Sequence, residues 1–251
     1  MLNLNLLVLM YHKIFEPSSP EFIHKFESHL DYLTKNFPIV LPGDKLEKNK
    51  LNICLTFDDA YCDFYSHVYP LLQTYQAKAI LAVPTKYILD STEISQDIRL
   101  SVPYPTGMDN LLFQTHAPFC TWDELKTMAH SPNVALASHS HSHLHLAKEL
   151  TCQQDFDREI LLSKQIIEHK TQTPVNNFVY PYGNFSRSLD KKVHEIYPHT
   201  FRIGSALNNS WERNLLYRVD ATPFWLNTLS LGPETLNKYK KQYYWNRIRF
   251  K

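Results

Sequence analysis

Seven short apolar runs alternate with segments of helical period along this chain. The runs are Leu6–His12, Asn52–Asp59, Ala77–Pro84, Val134–Ser140, Asn177–Tyr182, Thr200–Gly204 and Leu216–Asp220. Their lengths suit strands buried on both faces. Between most of them, apolar residues recur at helical spacing. Phe22, Phe26, His29, Leu30 and Leu33 do so after Pro20, and Phe64, Val68, Leu71, Leu72 and Tyr75 repeat the pattern. Trp122, Leu125 and Met128 follow Thr121, a plausible N-cap with Glu124 three residues on, so a capping box is predicted. Phe156, Ile160 and Ile167 mark a long helix from about Gln153 to Lys170, and Leu189, Val193 and Ile196 mark another. Such alternation predicts a parallel sheet or barrel.

The rhythm fails over Leu89–Phe119, which carries Pro103, Pro105, Gly107 and Pro118 without clear periodicity. A connection of this length in a compact domain is functional or mobile. We expect a single domain over 1–251, decorated at about 89–119 by an insertion that borders the site. A basic, aromatic C-terminal helix is expected at about 233–251. Its Lys, Arg, Tyr and Trp residues fit weak contact with an anionic membrane surface. They fit better a last helix packing Tyr and Trp on the barrel with its cations solvated, the preferred reading, since long basic side chains cover apolar surface while staying wet.

Composition narrows the class. The 251 residues are 43% apolar with a formal net charge of +1, enough for a substantial core and no indication of a nucleic-acid partner. No Gly-rich phosphate loop is present. Cys54, Cys62, Cys120 and Cys152 form no CxxC pair and suggest no disulfide framework. Met1–Met10 is apolar but short, lacks a basic lead, and reads as a first core strand. Cytoplasmic location is therefore expected, with no obligate protein partner inferred.

Two strand ends carry the candidate chemistry: Leu55-Thr56-Phe57-Asp58-Asp59 and Ser138-His139-Ser140-His141-Ser142-His143. A carboxylate and two imidazoles hold a divalent ion with one position open for water, and the other carboxylate remains as a base. The Asp pair alone would more often be a helix N-cap with a solvated neighbour. The histidines alone could be a surface metal-scavenging tract. Their apolar lead-ins favour the site. A turn is expected near Ser140, leaving His141 and His145 as supporting or surface groups.

Thr-Phe-Asp-Asp followed by His-Ser-x-x-His resembles the polysaccharide deacetylase family, the NodB-homology group of carbohydrate esterases. Leu9-Met10-Tyr11-His12 resembles its first strand, and Phe119–Leu125 the helix leading into the histidine motif. Phe178-Val179-Tyr180-Pro181-Tyr182-Gly183 resembles its third motif. The resemblance implies a distorted (β/α)7 barrel and metal-dependent removal of an acetyl group from a sugar. It implies Asp59, His139 and His143 as metal ligands, Asp58 as base and the Tyr182 backbone N–H as oxyanion donor. It lies nearest the poly-N-acetylglucosamine deacetylase branch, where a first-strand histidine is the general acid; His12 takes that place.

Three positions depart from the pattern. Ala60 stands where Gly usually follows Asp-Asp, a mild change unless the backbone needs positive φ. Val179 stands where the third motif often has Arg. No Leu-x-His motif follows residue 205. Arg218 could replace the missing Arg by pairing with Asp58, or could form a rim salt bridge to Asp220 or Glu212. The expected protein is a metal-dependent deacetylase of an acetylated sugar or glycan precursor. Zn2+ is the first choice of ion, with Co2+, Ni2+ or Mn2+ also compatible. A C–N hydrolase of a small cyclic amide or imide, and a degenerate glycan-binding barrel, are the alternatives.

Overall fold

The computed structural model describes residues 5–212, 215–227 and 230–249. Seven parallel strands close into a barrel in sequence order: β1 (Leu6–Tyr11), β2 (Asn52–Phe57), β3 (Ala79–Val83), β4 (Val134–Ser138), β5 (Asn177–Val179), β6 (His199–Ile203) and β7 (Leu215–Asp220). The expected (β/α)7 barrel is the fold observed. β1 closes the ring on β7 with Val8 opposite Arg218 and Met10 opposite Asp220. All the expected strands form, and most end one to three residues earlier than the apolar runs suggest. That leaves the polar ends, His12, Asp58 and His139, on the loops just past them.

Side-chain alternation sorts each strand into two faces. Leu7, Leu9, Ile53, Leu55, Leu81, Leu136, Phe178 and Val219 pack outward beneath the helices. Leu6, Val8, Cys54, Ile80, Ala82, Ala137, Val179, Phe201 and Leu216 form a separate buried cluster that fills the barrel. The same parity carries on to the chemistry. Asp58 follows Cys54 and Thr56, His139 follows Ala137, His12 follows Val8 and Met10, and Arg218 follows Leu216. Each therefore points toward the barrel axis at the C-terminal rim, where such folds place their sites.

The outer layer begins with α1 (Phe22–Asn36) and α2 (Tyr69–Thr74), the latter entered through a π-helical turn at Phe64–Val68. The expected aperiodic insertion instead contains α3 (Gln96–Ser101) and α4 (Leu112–His116). Both are too short for a periodic signal to stand out. α5 (Trp122–Ala129) starts with the predicted capping box: Glu124 N–H donates to Thr121 Oγ1, and Thr121 N–H to Glu124 Oε2 at 2.8 Å. α6 (Leu146–Glu149) follows the histidine loop. The long helix expected from Gln153 is α7 (Gln153–Phe156) and α8 (Ser163–Thr171) joined by a π-helical turn at Asp157–Leu162. α9 (Arg187–His194) and α10 (Thr222–Trp225) precede the C-terminal α11 (Pro233–Arg249). The last two residues of the expected C-terminal helix lie outside the described residues. No described helix is long and apolar enough to cross a membrane.

Candidate active site

The two motifs meet at the rim. One ligating atom from each of Asp59, His139 and His143 lies within 4.8 Å of the others, the only such cluster among the described residues. His139 Nε2 is 3.5 Å and His143 Nε2 3.3 Å from Asp59 Oδ1. His139 Nδ1 meets Val179 O at 2.8 Å, so this nitrogen carries the proton and Nε2 turns a lone pair to the cluster. Asp59 Oδ1 is buried without a hydrogen-bond partner.

The turns that assemble this cluster are tight. Asp59 and Ala60 both have positive φ, 71° and 55°. The backbone thus requires the left-handed region at Ala60, which costs an L-residue about 1–2 kcal/mol. The return of the insertion fastens this turn. Cys120 N–H donates to Ala60 O at 2.7 Å and Cys62 N–H to Pro118 O at 2.8 Å. The chain turns at Ser140 (φ 61°), as expected, and again at His143 (φ 56°). Ser140 Oγ accepts the His143 N–H at 3.0 Å.

Arg218 takes the partner at the centre of the barrel. Its Nη1 and Nη2 donate to the two Asp58 oxygens at 2.5 and 2.8 Å, and Nη1 also reaches Thr56 Oγ1 at 3.3 Å. Arg218 is 1% and Asp58 4% exposed. Burial opposes the Asp58 charge, but Arg218, with His139 and His12 adding to it, outweighs burial and holds the carboxyl well below the usual carboxylate range. Asp59 has the opposite fate. Burial and the adjacent Asp58 push it well up, and Arg218 only partly opposes them. Asp59 is a carboxylate in want of a cation. Burial also lowers both histidines, His139 to about 4 and His143 to about 3, so each is a neutral imidazole at neutral pH.

His12 lies on the same rim, with Nε2 3.7 Å from Asp58 Oδ2 and about a third of its side chain exposed. Burial lowers its pKa, opposed by Asp58. Tyr182 has φ 57°, and its exposed ring stacks on His145 at 3.9 Å and lies 4.6 Å from His143. His141 is turned away from the cluster, with Nδ1 2.9 Å from Thr85 Oγ1.

Two neighbours escape sequence reasoning. Tyr104, from the insertion, places its ring 5.1 Å from that of His12 and 5.9 Å from that of Tyr61. Burial, then Asp59 and Asp58, raise its phenol above the ordinary value. The insertion reaches this position because two buried cations anchor it. Lys13 Nζ donates to Leu100 O and Val102 O at 2.9 and 2.7 Å. Arg99 donates to Ala117 O, Phe119 O and both oxygens of Glu124. The second neighbour is Glu159, fully buried in the π-helical turn. Its Oε2 accepts the Ser142 N–H at 2.7 Å and its backbone O accepts the His141 N–H at 3.1 Å. A signal for it exists: an acid within the apolar stripe of Phe156, Ile160 and Ile167 needs a buried partner.

The chain is similar to the poly-β-1,6-N-acetyl-D-glucosamine N-deacetylase of Escherichia coli (strain K12). It is 26% identical over 193 residues, covering 66% of this chain and 27% of that protein. The chain thus spans about a quarter of the length of this curated relative. IcaB from Ammonifex degensii superposes with a TM-score of 0.69 at 20% identity, covering 89% of this chain and 95% of that one. The Streptococcus pyogenes deacetylase PplD, solved in complex with acetate, superposes with a TM-score of 0.66 at 18% identity, covering 94% and 97%. At these identities the likeness to solved structures is one of fold. The polysaccharide deacetylase sequence profile matches residues 45–199, more than half of the chain and the segment holding both motifs, so the chain belongs to the polysaccharide deacetylase family.

Proposed function

We propose that this barrel removes an N-acetyl group from a sugar, with Asp59, His139 and His143 holding a divalent ion. The observation that carries the reading is their convergence beside a buried Asp58–Arg218 pair. The donor set fits such an ion: two neutral imidazoles, one with its remote nitrogen already hydrogen-bonded, and a buried carboxylate oxygen with no hydrogen-bond partner. Zinc suits two nitrogens and an oxygen, and the same donors admit cobalt, nickel or manganese. When bound, the ion polarises the acetyl carbonyl and lowers the pKa of water.

The chain's own residues divide the remaining work. Asp58, kept ionised by Arg218, accepts the proton of the attacking water. The same pairing makes it a weak base, so the proton must move on. His12, at 3.7 Å, is the next acceptor. Its lowered pKa leaves the resting ring neutral at neutral pH, so the proton it gives to the leaving amine is one gained during turnover. The positive φ of Tyr182 in the turn after β5 supports its backbone N–H as the oxyanion donor, and its ring, with Tyr104, walls the opening.

The E. coli relative's name points to an N-acetylglucosamine unit of a glycan or glycan precursor as the substrate class. The test joins metal analysis of the purified protein to acetate release from N-acetylglucosamine oligomers. Bound metal and acetate release, both lost in His143→Ala, support the reading. Stoichiometric metal with hydrolysis only of cyclic amides or imides would redirect it to the other C–N hydrolases. Wild-type protein that binds no divalent ion would overturn it.

A further inference from the structure

The C-terminal helix packs only one of its faces. Tyr239, Tyr243 and Asn246 are at most 7% exposed. Leu207 N–H donates to Tyr239 O, and Asn246 Nδ2 donates to Gly204 O at 2.8 Å. The outer face is different. Tyr244 is 46%, Trp245 67% and Ile248 68% exposed, and their i, i+1, i+4 spacing gathers them into one apolar patch. The packing expected for this helix therefore holds for the inward tyrosines and fails for Trp245. Lys238, Lys240, Lys241 and Arg247, all exposed, flank the patch, and Glu234 is the helix's one acid.

An isolated exposed apolar side chain needs no explanation, whereas a cluster with Trp at its centre does. Lysine is depleted at protein interfaces. Trp and Tyr ringed by Lys and Arg match the boundary between lipid headgroups and acyl chains, where rings seat at headgroup depth and basic ends reach anionic phosphates. Position supports the same partner. Gly204 directly follows β6, so Asn246 pins the patch-bearing end of the helix at the C-terminal rim, the end that carries Asp58 and His139.

We propose that the outer face of the C-terminal helix, through Tyr244, Trp245 and Ile248 with their flanking Lys and Arg, docks the barrel on an anionic lipid surface, catalytic rim at the membrane. The contact is interfacial and reversible. It presents the site to sugars carried at that surface, and it stands whether or not the deacetylase reading does.

The protein supplies its own probe. Trp122, Trp211 and Trp225 are at most 8% exposed, so a change in tryptophan emission on adding vesicles reports Trp245. With phosphatidylcholine vesicles containing phosphatidylglycerol, the emission should shift to the blue and be quenched by brominated acyl chains. Pure phosphatidylcholine vesicles should bind roughly tenfold or more weakly, and added salt should release the protein. Trp245→Ser with Ile248→Ser should lower co-flotation by at least about tenfold, and Lys240→Glu with Lys241→Glu should remove the preference for phosphatidylglycerol. All four side chains face solvent, so both variants should keep the wild-type circular dichroism and melting temperature. No shift with anionic vesicles, equal binding by the charge-reversed variant, or a dimer abolished by Trp245→Ser without vesicle binding would each overturn the proposal.

Discussion

Asp58→Asn is the substitution with the most consequences, because Asp58 is both the proposed base and one half of the buried ion pair inside the barrel. Asparagine keeps the shape and one acceptor oxygen. It loses the charge, and it turns an NH2 group toward a guanidinium that already donates to both oxygens, at 2.5 and 2.8 Å. At an effective dielectric near 20, an ion pair at about 4 Å is worth about 4 kcal/mol. Removing one member of a buried pair typically costs about 3–5 kcal/mol, since the other charge is left without compensation. For a domain of this size each kcal/mol moves Tm by about 2–4 °C, so a fall of roughly 6–20 °C is expected. Turnover should drop by about 10²–10⁴, the ordinary contribution of a general base. Metal affinity should change far less than in Asp59→Asn. Adding Arg218→Met to Asp58→Asn should restore much of the lost stability and none of the activity. The assay is thermal unfolding of the metal-free single and double variants, with metal titration and acetate release on the loaded protein. Unchanged Tm in Asp58→Asn would refute the energetic argument. Metal loss equal to that in Asp59→Asn would make Asp58 a ligand.

The remaining outcomes are narrower. Glu159→Ala should weaken metal binding by about 10–100-fold while Glu159→Gln, which keeps an acceptor for Ser142 N–H, stays near wild type; metal titration checks both. Glu124→Ala removes the reciprocal half of the α5 capping box, the acceptor for Thr121 N–H, and leaves the buried Arg99 guanidinium without its carboxylate, so chemical denaturation should show a loss of about 3–5 kcal/mol. Tyr104→Ala should raise KM for acetylated oligosaccharides more than it lowers kcat, since the ring borders the site without reaching the reacting group; steady-state kinetics read the split. His12→Ala should depress amide turnover by about 10²–10⁴ and spare an activated acetyl ester, whose leaving group needs little protonation; equal loss on both would give His12 a structural role.

The strands were legible because a closed parallel barrel buries both faces of each one, and continuous apolar runs such as Leu51–Phe57 record that burial. Their polar last residues were legible as candidate chemistry for the same reason: Asp58 and His139 end runs with no other use for a charge. Arg218 shows where such reading stops. The sequence leaves it between Asp58 and a rim partner, and only closure of β1 on β7, with Val8 opposite Arg218, turns it inward. Tyr104 is hidden because a segment anchored by long-range bonds from Lys13 and Arg99 has no local period. The demand for positive φ at Ala60 is equally invisible, because it comes from the pairing of that turn with Pro118–Cys120 across more than fifty residues.

The Asp58–Arg218 pair also explains how a site can lose a motif residue and keep its charge balance. Inward positions on all seven strands converge on one axis, so a cation facing Asp58 can come from β7 as readily as from β5. Val179 holds the β5 position, and its apolar side chain joins the barrel filling. The guanidinium comes instead from β7, rising past Thr56 to Asp58. An arginine is required there, because a forked donor can satisfy both carboxylate oxygens and a lysine cannot. The arrangement ties Asp58 to the barrel seam. A one-residue slip of β7 against β1 would turn Arg218 out among the helices and leave Asp58 buried alone. The strand pairing that closes the fold is thus also the contact that keeps Asp58 ionised.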